Sequence, residues 1–249
     1  MPRAPRQSVG GLIYHVFNEA RGRRKLFESA ADYAAFTAVL EEAQQRYPQV
    51  QLLAFCLVPN RFHVVIKPKT DGELSQFMRW VTQTHGHRWR NLRRRVGRGG
   101  MYQGRFRSFV VQEDEHVLLL CRYIEQLPVR EGLSKTAQAW PWSSAGVRAG
   151  AGPAKAARPE LRSWPVRRPA NWLKLINDPM PKPDVERVET SIVRSRPLGG
   201  PSWQQRIARK LHVEHTLRPI GRPRGSADVH ARNKRTKDKP RSVKRRQKA

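Results

Sequence analysis

The sequence predicts an α+β protein: a four-stranded antiparallel sheet backed by helices, in the order β-α-β-β-α-β-α, with a basic C-terminal extension. Two observations carry this prediction. Four short stretches rich in β-branched and aromatic residues, at 12–17, 50–57, 62–67 and 105–112, have the length and spacing of strands. Between and after them lie segments whose apolar residues recur three and four apart, the period of a helix packed on one face. The second and third strands are separated by Val58-Pro59-Asn60-Arg61 alone, which reads as a tight turn. The other strands are joined through helices.

Taken in order, residues 1–8 form a basic leader. Leu12, Tyr14 and Val16 alternate with Ile13, His15 and Phe17, and both sets are largely apolar, as in a strand near the middle of a sheet. Ser29 is placed to cap a helix through Tyr33, Phe36, Val39 and Leu40, which Tyr47-Pro48 ends. After the strand at 50–57, Phe62, Val64 and Ile66 point toward a core while Arg61 and His63 share the opposite face. A second helix starts near Asp71-Gly72, carries Leu74, Phe77, Met78 and Val81, and runs toward Trp89. The basic run 93–100 is a loop. Glu113-Asp114-Glu115 opens a third helix with acids suited to its dipole, and Pro128 is expected to end it. Within this order lies the ferredoxin-like or RRM-like arrangement. Residues 149–195 are rich in Pro, Ala and Arg and read as a linker with a short helical piece. Trp203, Ile207 and Leu211 mark a short helix inside a small basic DNA-binding element at 196–225. Residues 226–249 lack an apolar pattern after Val229 and read as a disordered basic tail.

The chain has 249 residues and 49 lysines and arginines against 20 aspartates and glutamates, a formal net charge of +29. Such an excess speaks of partners rather than fold, and nucleic acid is the natural polyanion. A membrane surface comes second, and no apolar run approaches the ~20 residues of a spanning helix. The composition therefore points to a cytoplasmic, nucleoid-associated protein with no membrane partner. Cys56 and Cys121 sit among apolar residues and read as buried free thiols, without the C-x-x-C pairs of a zinc framework.

The stretch Pro59-Asn60-Arg61-Phe62-His63 resembles the H-x-H strand of the HUH single-tyrosine transposases, and most closely that of the REP-associated tyrosine transposases, with Arg61 in place of the first histidine. Tyr14-His15-Val16, Gln103-Gly104-Arg105-Phe106, Arg122-Tyr123-Ile124-Glu125 and Trp142-Ser143-Ser144 resemble the family in the same order, so that the likeness covers a transposase-like domain at 9–148. Residues 203–225 look like the C-terminal extension of some members. The resemblance implies a DNA-binding protein acting on single-stranded hairpins, with Tyr123 as the nucleophile. In the family, the tyrosine hydroxyl attacks a phosphodiester and forms a 5′-phosphotyrosine. A phenol with a reference pKa of ~10 needs activation, and the family uses Mg2+ or Mn2+.

His63 is the metal-ligand position that this sequence keeps. Arg61 and Leu127 stand at the other two, the latter four residues beyond Tyr123, where the family usually has Asn or Gln. Guanidinium has no lone pair to give and leucine has no donor atom. Arg61 is open to two readings, a decayed site or a phosphate clamp. The protein is accordingly either an active strand transferase or a DNA- or RNA-binding regulator that keeps the fold without the chemistry. By its helical position Tyr123 lies ~110° from the centre of the stripe Val117, Leu120, Cys121 and Ile124, on a flank. His85 and His87 lie ~200° apart around a helix axis and cannot chelate one ion; they read as surface or DNA-facing residues. Lys67, Arg105, Arg107, Arg122 and the run 88–98 are candidate phosphate contacts, with Trp80, Trp89 and Tyr102 as stacking platforms. Gly221-Arg222-Pro223 is similar to an AT-hook core, which lays arginine in an AT-rich minor groove, with Arg222 and Arg224 as candidate DNA contacts; a solvated basic tail is the other reading. The oligomeric state is not encoded legibly.

Overall fold

The computed structural model describes residues 8–22, 24–93, 100–152 and 157–218. Arg222, Arg224 and the tail at 226–249 lie outside them. The described residues through Leu217 form one compact unit. Its strands are β1 (Ile13–Glu19), β2 (Val50–Val58), β3 (Arg61–Pro68) and β4 (Arg107–Val111). The main helices are α1 (Ala30–Arg46), α2 (Glu73–Leu92) and α3 (Glu115–Arg130), followed by α4 (Ser144–Arg148), α5 (Trp172–Asn177), α6 (Lys182–Arg194) and α7 (Pro201–Lys210). The sheet order is β2-β3-β1-β4 and the named pairs are all antiparallel, the arrangement expected from sequence.

Alternation along the strands divides the core in two. Tyr14, Val16, Phe62, Val64 and Ile66 face α1 and α2, whereas Ile13, Val65, Phe109 and Val111 face α3. A bulge lies between Leu52 and Ala54 in the β2–β3 ladder. Leu53 joins Ala54 on the α3 side, so the alternation slips by one residue there. The Leu53 carbonyl accepts instead from Arg148 Nη2 and from Trp164 Nε1, both at 2.8 Å, which ties residues 148 and 164 to the sheet.

The helix ends follow local chemistry. Ser29 caps α1 in a capping box with Asp32. Gly72 precedes α2 with φ +82°, a conformation that disfavours any residue with a Cβ. Pro128 does not end α3, contrary to expectation: the helix continues to Arg130. A proline removes only its own N–H, and the next turn closes through Glu131 N donating to the Leu127 carbonyl at 2.9 Å and Leu133 N to that of Pro128 at 2.8 Å.

The stretch expected as a linker carries α5 and α6, and Trp172, Ile176 and Val188 are buried against α3 and its neighbours. The chain then runs beside β4, where Leu198 N donates to the Val110 carbonyl and accepts at its own carbonyl from Gln112 N. Residues 140–143 cover the other edge, with Leu57 N donating to the Trp142 carbonyl and an isolated bridge pairing Cys56 with Ser143. Both edges of the sheet are thereby protected from adding a foreign strand. Cys56 and Cys121 are buried free thiols, as read from sequence.

His85 corrects another expectation. It is 2% exposed, with Nδ1 2.6 Å from the Tyr102 hydroxyl and its ring against Phe27 and Phe36. His87 is exposed. Burial pushes His85 down to about 3, against the opposing pull of Asp32 and with the help of Arg93 and Arg88. Its neutral form is therefore the folded form. The stabilising contribution is complete above the unfolded value near 6.5 and is lost as pH falls toward 3. Between pH 7 and pH 5 this one side chain is expected to remove about 2 kcal/mol of stability. Urea unfolding of the parent and of His85→Gln at both pH values checks it: the variant should lose less on acidification, and equal losses would refute the assignment.

Candidate functional site

The α3-facing side of the sheet brings together side chains from β1, β3 and α3. Across the β1–β3 ladder His63 stands opposite Phe17 and His15 opposite Val65, so the two histidines are diagonal neighbours on one face. Their rings are stacked with centroids 5.1 Å apart, and Phe109 packs against His15. Both are buried.

The hydrogen bonds fix the protons on this pair. Arg61 Nε donates to His63 Nε2 at 3.2 Å, so that nitrogen holds the lone pair. His63 Nδ1 then carries the hydrogen and donates to His15 Nε2 at 2.9 Å. His15 Nδ1 is left protonated and finds no partner. Burial holds both rings neutral. It pushes His15 down to about 3, and His63 falls well below its ordinary value through burial, with His15 and the Arg61 charge adding to it.

Arg61 is anchored on its other nitrogens. Nη1 donates to the Asn60 side chain at 3.0 Å, and Nη2 forms an ion pair with Glu131, just past the last turn of α3. Tyr123 lies on the same side of the fold. The residue is only 5% exposed, with Glu189 of α6 against its hydroxyl. The hydroxyl donates to Glu189 Oε1 at 3.4 Å, and the ring lies under the Arg130 guanidinium, 4.6 Å from its centroid. Arg130 Nη2 also reaches Glu189 Oε1 at 3.2 Å. Burial pushes the Tyr123 phenol up, partly opposed by Arg130 and reinforced by Glu189. The phenol stays protonated in this arrangement.

These residues do not fit a divalent cation. The Nε2 lone pair of His63 already accepts from Arg61, and a guanidinium stands where a second ligand is required. Leu127 is 2% exposed within the apolar core under α3. The neighbouring Gln126 is turned away, its Nε2 donating to the Asp178 carbonyl at 2.5 Å. Among the described residues, one group of three possible metal-binding side chains lies close together, Asp114, Glu115 and His116 at the start of α3, away from Tyr123.

The remaining candidates are scattered. Lys67 pairs with Glu113 at 2.8 Å, and Arg107 with Glu19 at 3.2 Å while covering Phe17. Arg122 holds the C-terminal end of α5, donating from Nε to the Leu175 carbonyl at 2.8 Å and from Nη2 to those of Asp178 and Pro179. Arg105 is exposed and lines a cleft of about 1060 Å³ between α2 and residues 100–106, together with Arg79, His87 and Arg90. No carboxylate lines that cleft among the described residues. Trp89 is buried and Tyr102 is tied to His85, which leaves neither placed as an open stacking surface. Glu131 and Glu189 were not singled out from sequence. Glu189 could not have been, since nothing in its local pattern points to Tyr123, 66 positions earlier.

Residues 8–127 match the family model described as "Transposase IS200 like". The chain is similar to a Haemophilus influenzae protein named as a REP-associated tyrosine transposase, at 23% identity over 118 residues. The matching stretch covers 44% of this chain and 66% of that relative's length. It is also similar in fold to a solved REP-associated tyrosine transposase bound to a REP hairpin, with a TM-score of 0.50 and 20% identity. That match covers 68% of this chain and all of the other. Among the described residues no helix is long and apolar enough to cross a membrane.

Proposed function

We propose that this chain, whose residues 8–127 match the family model described as "Transposase IS200 like", is a DNA-binding transposase-like protein of the REP-associated type. It takes single-stranded DNA folded into hairpins, in the cytoplasm at the nucleoid. It does so without Mg2+ or Mn2+, and strand cleavage through Tyr123 is blocked as the site stands. The observation that carries the last point is the Arg61 Nε–H on His63 Nε2, because it occupies the lone pair a metal ion would need. The Glu189 contact supports it, since Tyr123 is held protonated and covered.

Hairpin binding is supported by the net charge of +29 and by the acid-free cleft carrying Arg79, Arg90 and Arg105. It is supported further by the relative whose solved structure holds a REP hairpin. The chemistry left to these residues is the neutralisation of backbone phosphates, which fixes position on the DNA. Its affinity should fall steeply with salt, with a log–log slope of about −0.7 for each phosphate neutralised on a single strand. Fluorescence anisotropy with a labelled hairpin tests this. Tight binding at low salt, a steep slope and no change on adding EDTA are expected. A salt-independent affinity, or one abolished by EDTA, would overturn the reading.

A further inference from the structure

We propose that Arg61 and Arg130 form a phosphate-binding site beside Tyr123, filled in the DNA-free chain by the carboxylates of Glu131 and Glu189. The inference rests on the hairpin-binding reading above and names the site at which a backbone phosphate would meet the family's tyrosine position. Each arginine reaches one carboxylate, Arg61 that of Glu131 and Arg130 that of Glu189, and the Tyr123 hydroxyl donates to the same Glu189 oxygen. A carboxylate and a phosphodiester present paired oxygens of like charge to a guanidinium, so one can replace the other on the same N–H groups.

The site is neither sealed nor fully wet. The Arg61 and Arg130 side chains are 25% and 29% exposed, so a DNA backbone can reach them, while Asn60 and His63 hold Arg61 in one orientation. Glu131 sits at the C-terminal cap of α3, where the helix dipole disfavours an acid, which makes it an easily displaced partner. Arg61 pairs with Glu131, the residue that follows Arg130 in the chain, so both arginines lie at the C-terminal end of α3. A fixed guanidinium on the strand thus stands where the resemblance puts a metal ligand, and it contacts the phosphate directly.

The test compares two double variants of equal charge. Glu131→Gln with Glu189→Gln removes the two carboxylates from the site. Glu160→Gln with Glu186→Gln removes two others, which pair with Arg162 and Lys182 elsewhere. Hairpin binding is measured by anisotropy across a salt series. The site variant is expected to bind about tenfold more tightly than the control, since each freed arginine gains a charge-assisted bond. Its log–log salt slope should be steeper by about 0.7, one phosphate's worth. Adding Arg61→Gln and Arg130→Gln to the site variant should remove both gains. Equal affinity and slope in the two double variants would overturn the proposal while leaving the hairpin-binding reading intact. If the parent binds no hairpin, that reading fails, and inorganic phosphate becomes the probe. The side-chain Nε–H resonances of Arg61 and Arg130 in the site variant should then shift and saturate with phosphate, and unmoved resonances would overturn the inference.

Discussion

Glu125→Ala is expected to lower the free energy of unfolding by about 3–5 kcal/mol, because it leaves a half-buried guanidinium and two buried donors without their acceptor. Glu125 is completely buried on α3. Its Oε1 accepts from the Ser144 hydroxyl and from Arg148 Nη1, both at 2.5 Å, and its Oε2 accepts from Trp172 Nε1 at 2.8 Å. One carboxylate therefore fastens α3, α4 and α5 together. Its removal leaves a guanidinium, an indole N–H and a hydroxyl facing a hole. For a unit of this size the loss corresponds to a melting temperature lower by roughly 10 °C. Thermal unfolding checks it. A fall of only a degree or two would mean that water or rearranged side chains satisfy those donors, and that α5 is held by its apolar contacts alone.

The second large effect concerns chemistry. Arg61→His with Leu127→Asn should convert a protein that makes no adduct with hairpin DNA into one that makes it in the presence of Mn2+ or Mg2+. The first change frees the Nε2 lone pair of His63 and removes the cation beside it. The second supplies an amide oxygen four residues beyond Tyr123, on the same flank of α3. Metal assistance of this kind is worth several kcal/mol, or at least about a hundredfold in rate. Leu127 is 2% exposed in an apolar core, so the asparagine should cost about 1–3 kcal/mol of stability, and the assay belongs at low temperature. Tyr123→Phe in that background should abolish the adduct, since it removes only the attacking oxygen. An adduct that survives it would place the nucleophile elsewhere.

Much of the fold was legible because the sheet's alternation is strong. The phase of β3, with Phe62, Val64 and Ile66 inward and Arg61 and His63 on the other face, follows from the two-residue period alone. Ser29 and Gly72 announced the starts of α1 and α2 through capping and backbone preference. The end of α3 was misread because a proline in a last turn costs only one donor, and the surrounding carbonyls still found partners. The stretch at 149–195 was misread for a different reason. Its apolar residues are few and its prolines many, but Trp172, Ile176 and Val188 each bury fully against α3, so tertiary packing outweighs the local pattern.

The candidate site was legible only in part. The resemblance supplied Tyr123, His63 and the departures at Arg61 and Leu127. His15 was read only as one position of an alternating strand, and its contact with His63 depends on strand register, which periodicity does not give. The covering of Tyr123 came from α6, in the stretch read as a linker. Pairing preferences across 59 and 66 positions, Arg130 and Tyr123 with Glu189, leave no trace in a local pattern.

The account turns on whether Arg61 closes the site to metal, and one denaturing gel addresses that directly. The unmodified protein is incubated with a 5′- and 3′-labelled hairpin oligonucleotide and Mg2+ or Mn2+, beside Arg61→His, Leu127→Asn and its Tyr123→Phe derivative. The prediction is no covalent protein–DNA band from the unmodified chain, a band from the double variant and none from the triple. A metal-dependent band from the unmodified protein that disappears on Tyr123→Phe would contradict the account, because a cation would then be bound, or the phosphate activated, with Arg61 in place.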